Sequence, residues 1–172
     1  MLKIYCKLGE MNFSKLMEVY AEGNADNAAE FYSDDDPSVG MMNAEQDFYQ
    51  YLKEVFFNSK DAVYAIWEEN AVYISALRLE PYQDGLLLEA LETHPDYRRK
   101  GYARKLLCAV LAYLKSSNYK VIYSHIHKQN FPSIKTHLSC GFARIAEHAV
   151  YIDGSVNSHS CTMSYLLGLP DV

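Results

Sequence analysis

Leu86-Leu87-Leu88-Glu89-Ala90-Leu91-Glu92-Thr93-His94-Pro95-Asp96-Tyr97-Arg98-Arg99-Lys100-Gly101-Tyr102-Ala103 is the stretch around which the rest of the sequence is organised. Its first half is apolar and then turns polar, the pattern of a buried strand that ends at a site. From Gly101 the spacing becomes helical, with Leu106, Leu107, Val110, Leu111 and Leu114 on one stripe and Arg104 and Lys105 off it. A loop that runs into a helix N-terminus aims several unpaired N–H groups in one direction, and the helix dipole favours negative charge there. Gly101 permits a left-handed turn or a close backbone approach, Ala103 leaves room for a ligand, and Arg98, Arg99 and Lys100 supply cations. The segment therefore reads as a phosphate seat; the competing reading is a solvated basic loop ahead of a helix. Neither G-x-x-x-x-G-K-[ST] nor G-x-G-x-x-G occurs, so the Walker and dinucleotide classes lose support.

Upstream, Leu2, Ile4 and Cys6 alternate with Lys3, Tyr5 and Lys7, which predicts an opening strand. Two helices are predicted next, one capped by Asn12-Phe13-Ser14 and one over Asp47 to Phe57, with the acidic Ser33 to Pro37 as a loop between them. Ala62 to Trp67 and Ala71 to Leu79 form a predicted hairpin, and Gln83-Asp84-Gly85 turns into the strand Leu86 to Thr93. Downstream come a strand over Lys120 to Ile126 and a helix over Asn130 to Cys140, with Pro132 in its first turn and Gly141 past its end. Phe142 to Ile152 and Ser160 to Leu166 are read as closing strands around Asp153-Gly154. This order predicts a mixed α/β layer around one sheet, and 172 residues suit a single domain over 1–172.

Composition narrows the function classes. No run of about 18 apolar residues exists and the first 20 residues carry charges, so no membrane span or signal peptide is expected and the chain is read as cytoplasmic. Cys6, Cys108, Cys140 and Cys161 show no C-x-x-C spacing and are read as reduced thiols. A formal charge of -6 argues against nucleic acid as a partner. The acids are unevenly placed: no Lys or Arg lies between Lys15 and Lys53, where Glu18, Glu22, Asp26, Glu30, Asp34 to Asp36, Glu45 and Asp47 fall. That segment suits a cation.

On Arg98-x-x-Gly101-x-Ala103 after a strand and Pro95, the loop resembles motif A of the GNAT acetyltransferase superfamily, [QR]-x-x-G-x-[GA]. Asn130 to Phe142 is similar to that family's motif B, with Asn130, Ser133 and Gly141-Phe142 in agreement and His137 standing where Tyr is usual. Asn130 and His137 are about two turns apart and share a helix face. The resemblance implies a mixed, mostly antiparallel twisted sheet of about six or seven strands flanked by about four helices, with two parallel strands splayed at the centre. It further implies that Leu91, Glu92 and Thr93 bind the pantetheine of acetyl-CoA, that Arg98, Arg99, Lys100, Gly101, Tyr102 and Ala103 hold its diphosphate, and that Asn130 and Ser133 lie near its far end. Acetyl-CoA is thus the expected cosubstrate, with no metal.

Direct attack needs a neutral amine, and an amine of pKa about 10.4 is deprotonated only about once in 10³ at pH 7, a deficit of about 4.6 kcal/mol. A base is therefore the larger need. Glu89 and Glu92 are the candidate bases; a regular strand points them to opposite faces, so only one, with Glu89 preferred, should meet the acceptor unless a bulge intervenes. The resemblance suggests His137 as a general acid, although a neutral imidazole donates poorly, and hydrogen bonding or packing is the other reading. Tyr123, His125 and His127 alternate along the next strand toward the acceptor. His125, His127 and His137 lack a carboxylate or thiolate at zinc spacing. The expected activity is acetyl transfer to a primary amine, with a cationic acceptor; the alternative is a non-catalytic acyl-CoA-binding or regulatory domain of the same fold. The acceptor's identity, a longer acyl donor and a homodimer are left open.

Overall fold

The computed structural model describes residues 1–168. The elements run β1 (Leu2–Tyr5), α1 (Phe13–Val19), α2 (Ala21–Phe31), α3 (Pro37–Glu54), β2 (Val63–Glu69), β3 (Val72–Tyr82), β4 (Gly85–Thr93), α4 (Tyr102–Leu114), β5 (Val121–His127), α5 (Phe131–Ser139), β6 (Ala143–Ala146), β7 (Ala149–Val150), β8 (Val156–Asn157) and β9 (Ser160–Leu166). A 7-stranded sheet has the order β1-β2-β3-β4-β5-β9-β6. All its neighbours are antiparallel except β4 and β5, which the α4 crossover makes parallel. The expected mixed α/β architecture with a central parallel pair is present.

Helix α4 seats Leu106, Leu107, Val110, Leu111 and Leu114 against one face of the sheet, where Leu77, Leu79, Leu86, Leu88 and Ile122 are also buried. Each such side chain contributes roughly 1.5–3 kcal/mol relative to exposure. The other face carries Tyr64, Ile66, Tyr73 and Ala76 under Leu16, Val19, Tyr20, Leu52 and Phe56 from the N-terminal helices and the turn after them. A β-carbon at Gly85 would sit 2.1 Å from the Val121 carbonyl oxygen, so only glycine lets β4 start alongside β5. Among the described residues, no helix is long and apolar enough to cross a membrane.

Two expectations are corrected. Three helices, not two, precede β2. In α2 only Asn24 and Ala28 are buried, because it meets α3 through small residues, and a face without large apolar groups leaves no helical stripe to read. Helix α3 begins at Pro37 rather than Asp47, since Asp36 caps it by accepting a hydrogen bond from the Ser38 N–H at 2.9 Å. The stretch Phe142 to Ile152 is not one strand. β6 pairs with β9 and shifts register between Arg144 and Ala146, and the chain then leaves the sheet to form the separate β7–β8 hairpin.

Candidate active site

The β4–β5 ladder holds Leu86 against Ile122, Leu87 against Tyr123 and Leu88 against Ser124, and pairing ends there although both strands continue. At the same point β4 departs from β3: Arg78 pairs with Glu89 and Ala76 with Glu92, so two residues, Ala90 and Leu91, stand opposite one. Ala90 has φ 52°, a left-handed conformation that marks a bulge. A relay from the other core holds it: buried Tyr64 donates to the Tyr20 hydroxyl at 2.8 Å, and Tyr20 donates to the Ala90 carbonyl at 2.7 Å. The strands therefore splay, opening a cleft of about 170 Å³ bordered by Glu89, Glu92, Ser124, His125 and His137.

This cleft adjoins a groove of about 630 Å³ lined by Leu91, Glu92, Thr93, Arg98, Arg99, Gly101 to Arg104, Asn130 and Ser133. Gly101 adopts φ 82° and no side chain caps α4, so the first-turn N–H groups are left for a ligand. A β-carbon at Gly101 would meet nothing within 4 Å. Of the two uses expected for this glycine, the left-handed turn is the one found. On α5, Asn130 caps the helix by accepting from the Ser133 N–H at 3.1 Å.

Three of the cations around the loop are already employed, while the Arg99 and Arg104 side chains line the groove. Arg98 donates to the Thr93 carbonyl at 3.1 Å, pairs with Glu22, and lies 3.6 Å from Glu92. Lys100 donates to the Asp96 carbonyl at 2.8 Å, over the Tyr97 ring. Lys105 donates to Glu69 at 2.8 Å and covers Trp67; hydrogen bonds from Lys105, then Trp67 and Tyr102, hold the Glu69 carboxyl at about 2. The groups offered to an anion are therefore the main-chain amides of the α4 N-terminus together with Arg99 and Arg104, rather than Arg98, Lys100 or Lys105.

The bulge changes the geometry expected of the carboxylates. A skipped residue restores Glu92 to the face that Glu89 occupies, so both border the cleft. Glu89 accepts from Arg78 at 2.9 Å, and Arg78 lies over the Tyr51 ring. Glu80, 8% exposed, is held above the usual carboxylate range by burial and then by the neighbouring Glu89 charge. Burial likewise raises Glu92, with Arg98 opposing. Arg78 and Glu80 were missed from the sequence; the available signal was two charges two residues apart in a strand otherwise uncharged over Val72–Tyr82.

His137 is 1% exposed. Its Nδ1 lies 2.9 Å from the Ser133 carbonyl oxygen, which only accepts, so Nδ1 carries the proton and buried Nε2 is an unpaired acceptor. Burial lowers its pKa and keeps it neutral. His125 lies edge-on to Tyr82 and Tyr151 with neither ring nitrogen paired, and burial lowers its pKa too. Tyr123, on the same side of β5, donates to Asp84 at 2.7 Å.

No curated protein matches the chain in sequence. Among solved structures, the ribosomal-protein-S18-alanine N-acetyltransferase from Escherichia coli superposes with TM-score 0.63 at 16% identity, over 99% of this chain and 97% of that one. PaiA N-acetyltransferase from Thermoplasma acidophilum, in complex with coenzyme A, gives 0.63 at 15% identity over 96% and 99%. Spermidine N-acetyltransferase from Vibrio cholerae, in complex with CoA and spermine, gives 0.60 at 17% identity over 96% and 95%. At such identities the likeness is one of fold. The sequence itself carries the model of the acetyltransferase (GNAT) family over residues 24–142, a span that includes the splayed strands and the α4 loop, and on that ground the chain belongs to the GNAT acetyltransferase family.

Proposed function

We propose that the chain transfers an acetyl group from acetyl-CoA to a primary amine by direct attack. One observation carries this reading: β4 and β5 part after Leu88, and the gap connects an uncapped helix N-terminus to a pair of carboxylates on one face. The α4 amides beyond Gly101 receive the diphosphate, and Leu91, Glu92 and Thr93 offer strand groups to the pantetheine along the same groove. The thioester supplies an activated acyl carbon and a thiolate leaving group. The amine nitrogen bonds to that carbon as the carbon–sulfur bond breaks.

The amine's proton passes to Glu92, whose burial-raised pKa makes it the better acceptor; Glu89, ion-paired to Arg78, holds the approaching cation. His137 offers Nε2 as a hydrogen-bond acceptor, and the departing thiolate, with a reference pKa around 8.5, takes its proton from solvent. Asp26 on α2 borders the groove, beside Glu22 that Arg98 engages, which suits a cationic acceptor; the spermine bound to the Vibrio cholerae enzyme is an amine of that type.

Acetyl-CoA should raise the melting temperature, and a panel of polyamines, amino sugars, amino acids and peptides should include one that releases CoA thiol. Absence of any acetyl-CoA shift would overturn the reading. His137 also favours a second reading, because an acceptor stands where the family motif places a Tyr hydroxyl. A melting shift with no thiol release from any amine would select that non-catalytic acyl-CoA-binding role.

A further inference from the structure

Cys108 lies in the middle of α4 and Cys140 caps the C-terminus of α5, 32 residues apart in sequence, and their Sγ atoms are 3.5 Å apart. Cys108 is exposed and Cys140 half-buried. The other two cysteines, Cys6 on the surface and Cys161 in the core, belong to different parts of the fold. A disulfide needs the sulfurs at about 2.05 Å, so closing the pair takes a movement of about 1.5 Å, within reach of side-chain rotation and a small helix shift. The two thiols are not equivalent. Burial, followed by the hydrogen bond to Cys108, pushes Cys140 up to about 12, so Cys140 stays protonated at neutral pH. Exposed Cys108 is the sulfur that a solution oxidant meets first.

We infer that Cys108 and Cys140 form a peroxide-responsive thiol pair whose disulfide staples α4 to α5 and weakens binding in the groove between them. In the first step Cys108 sulfur attacks the peroxide, the O–O bond breaks, and a sulfenic acid and one water result. In the second, Cys140 sulfur displaces the hydroxyl from Cys108, the S–S bond forms, and the Cys140 proton leaves with that hydroxyl as water. Two thiols and one hydrogen peroxide thus become one disulfide and two waters.

The functional consequence rests on the groove being the acetyl-CoA site, as proposed above. Arg104 lies one turn before Cys108 and Thr136 one turn before Cys140, and both line the groove. The Arg104 carbonyl is itself 4.0 Å from Cys140 Sγ, so the sulfurs sit directly behind the wall that a ligand would meet. Drawing the two sulfurs together pulls the α5 wall toward α4 and narrows the space between Arg104 and Thr136.

The test uses the full reduced chain and hydrogen peroxide near stoichiometry. The expected result is a mass decrease of about 2 Da, loss of two thiols by titration under denaturing conditions, and a non-reduced Cys108–Cys140 cross-linked peptide, all reversed by dithiothreitol. Oxidised chain should bind acetyl-CoA about tenfold more weakly than reduced chain. Cys108→Ser and Cys140→Ser should each bind like the reduced chain and lose the response. Thiols that remain free, or separate oxidation with a mass gain of about 32 Da, would overturn the pair. A mapped disulfide with unchanged affinity would overturn the link to the groove. Should reduced chain bind no acetyl-CoA, the proposed function fails, while the cross-link map still decides whether the thiol pair exists.

Discussion

At the α4 end of the groove main-chain amides, set by Gly101 at φ 82°, are open beside the Arg99 and Arg104 side chains, whereas at the β4–β5 end the groups offered are side chains alone, Glu89, Glu92, His125 and His137. The difference decides how each end responds to change. Main-chain donors depend on a backbone conformation and are indifferent to neighbouring side chains, provided the conformation survives. Side-chain groups depend on burial and partners, and each has its protonation set separately: Glu92 raised, His125 and His137 lowered. One end is therefore robust and binary, the other graded and tunable.

Gly101→Val should break the comparison most severely. A β-branched residue at positive φ is strained, so the α4 amides lose their alignment and the acetyl-CoA melting shift disappears, as read by thermal denaturation with and without the ligand. Retention of the full shift would refute the main-chain seat. Glu92→Gln should act only at the other end, lowering turnover about 10²- to 10³-fold while acetyl-CoA affinity is kept. Turnover of the parent chain should fall as pH drops through the raised Glu92 pKa, and that limb should vanish in the variant. The stability sign is opposite. A carboxyl raised in the folded state contributes stability below its unfolded pKa and loses it as pH rises through the folded one, so the Gln chain should be the more resistant to urea at neutral pH.

Tyr20→Phe probes the joint between the two ends. It leaves the Tyr64 hydroxyl and the Ala90 carbonyl without their shared partner, and urea unfolding should show a loss of about 1–3 kcal/mol. Turnover should fall more than acetyl-CoA affinity, because the bulge aligns the carboxylates and not the α4 amides. The smallest effect is expected from Lys105→Met. Although Lys105 belongs to the basic cluster of the loop, it is engaged by Glu69 and Trp67, so acetyl-CoA affinity should be unchanged and stability should drop by less than about 1 kcal/mol.

These contrasts also mark what could be read in advance. Strand β4, the loop to Gly101 and the stripe of α4 were legible because each rests on local signals: a run of apolar residues, a glycine, and a period of about 3.6. The expectation of an anion seat rests on the same residues. Helix α2 was not legible, because its buried positions are Asn24 and Ala28 and its packing depends on what α3 brings opposite. The break between β6 and β7 was hidden for a related reason, as both halves are β-forming and only pairing with β9 tells them apart.

The sequence by itself determined the order of elements around the central pair and the loop whose backbone turns at Gly101, since these depend on residues adjacent in the chain. Only the tertiary structure decided that Glu89 and Glu92 share a face, that Arg78 and Glu80 stand beside them, and that Cys108 and Cys140 meet. The physical reason is that each depends on a distant partner: Tyr20 on α1's C-terminus holds the Ala90 bulge through a hydrogen bond spanning 70 residues, and α4 packs beside α5 across 32. Local propensity carries no record of such contacts.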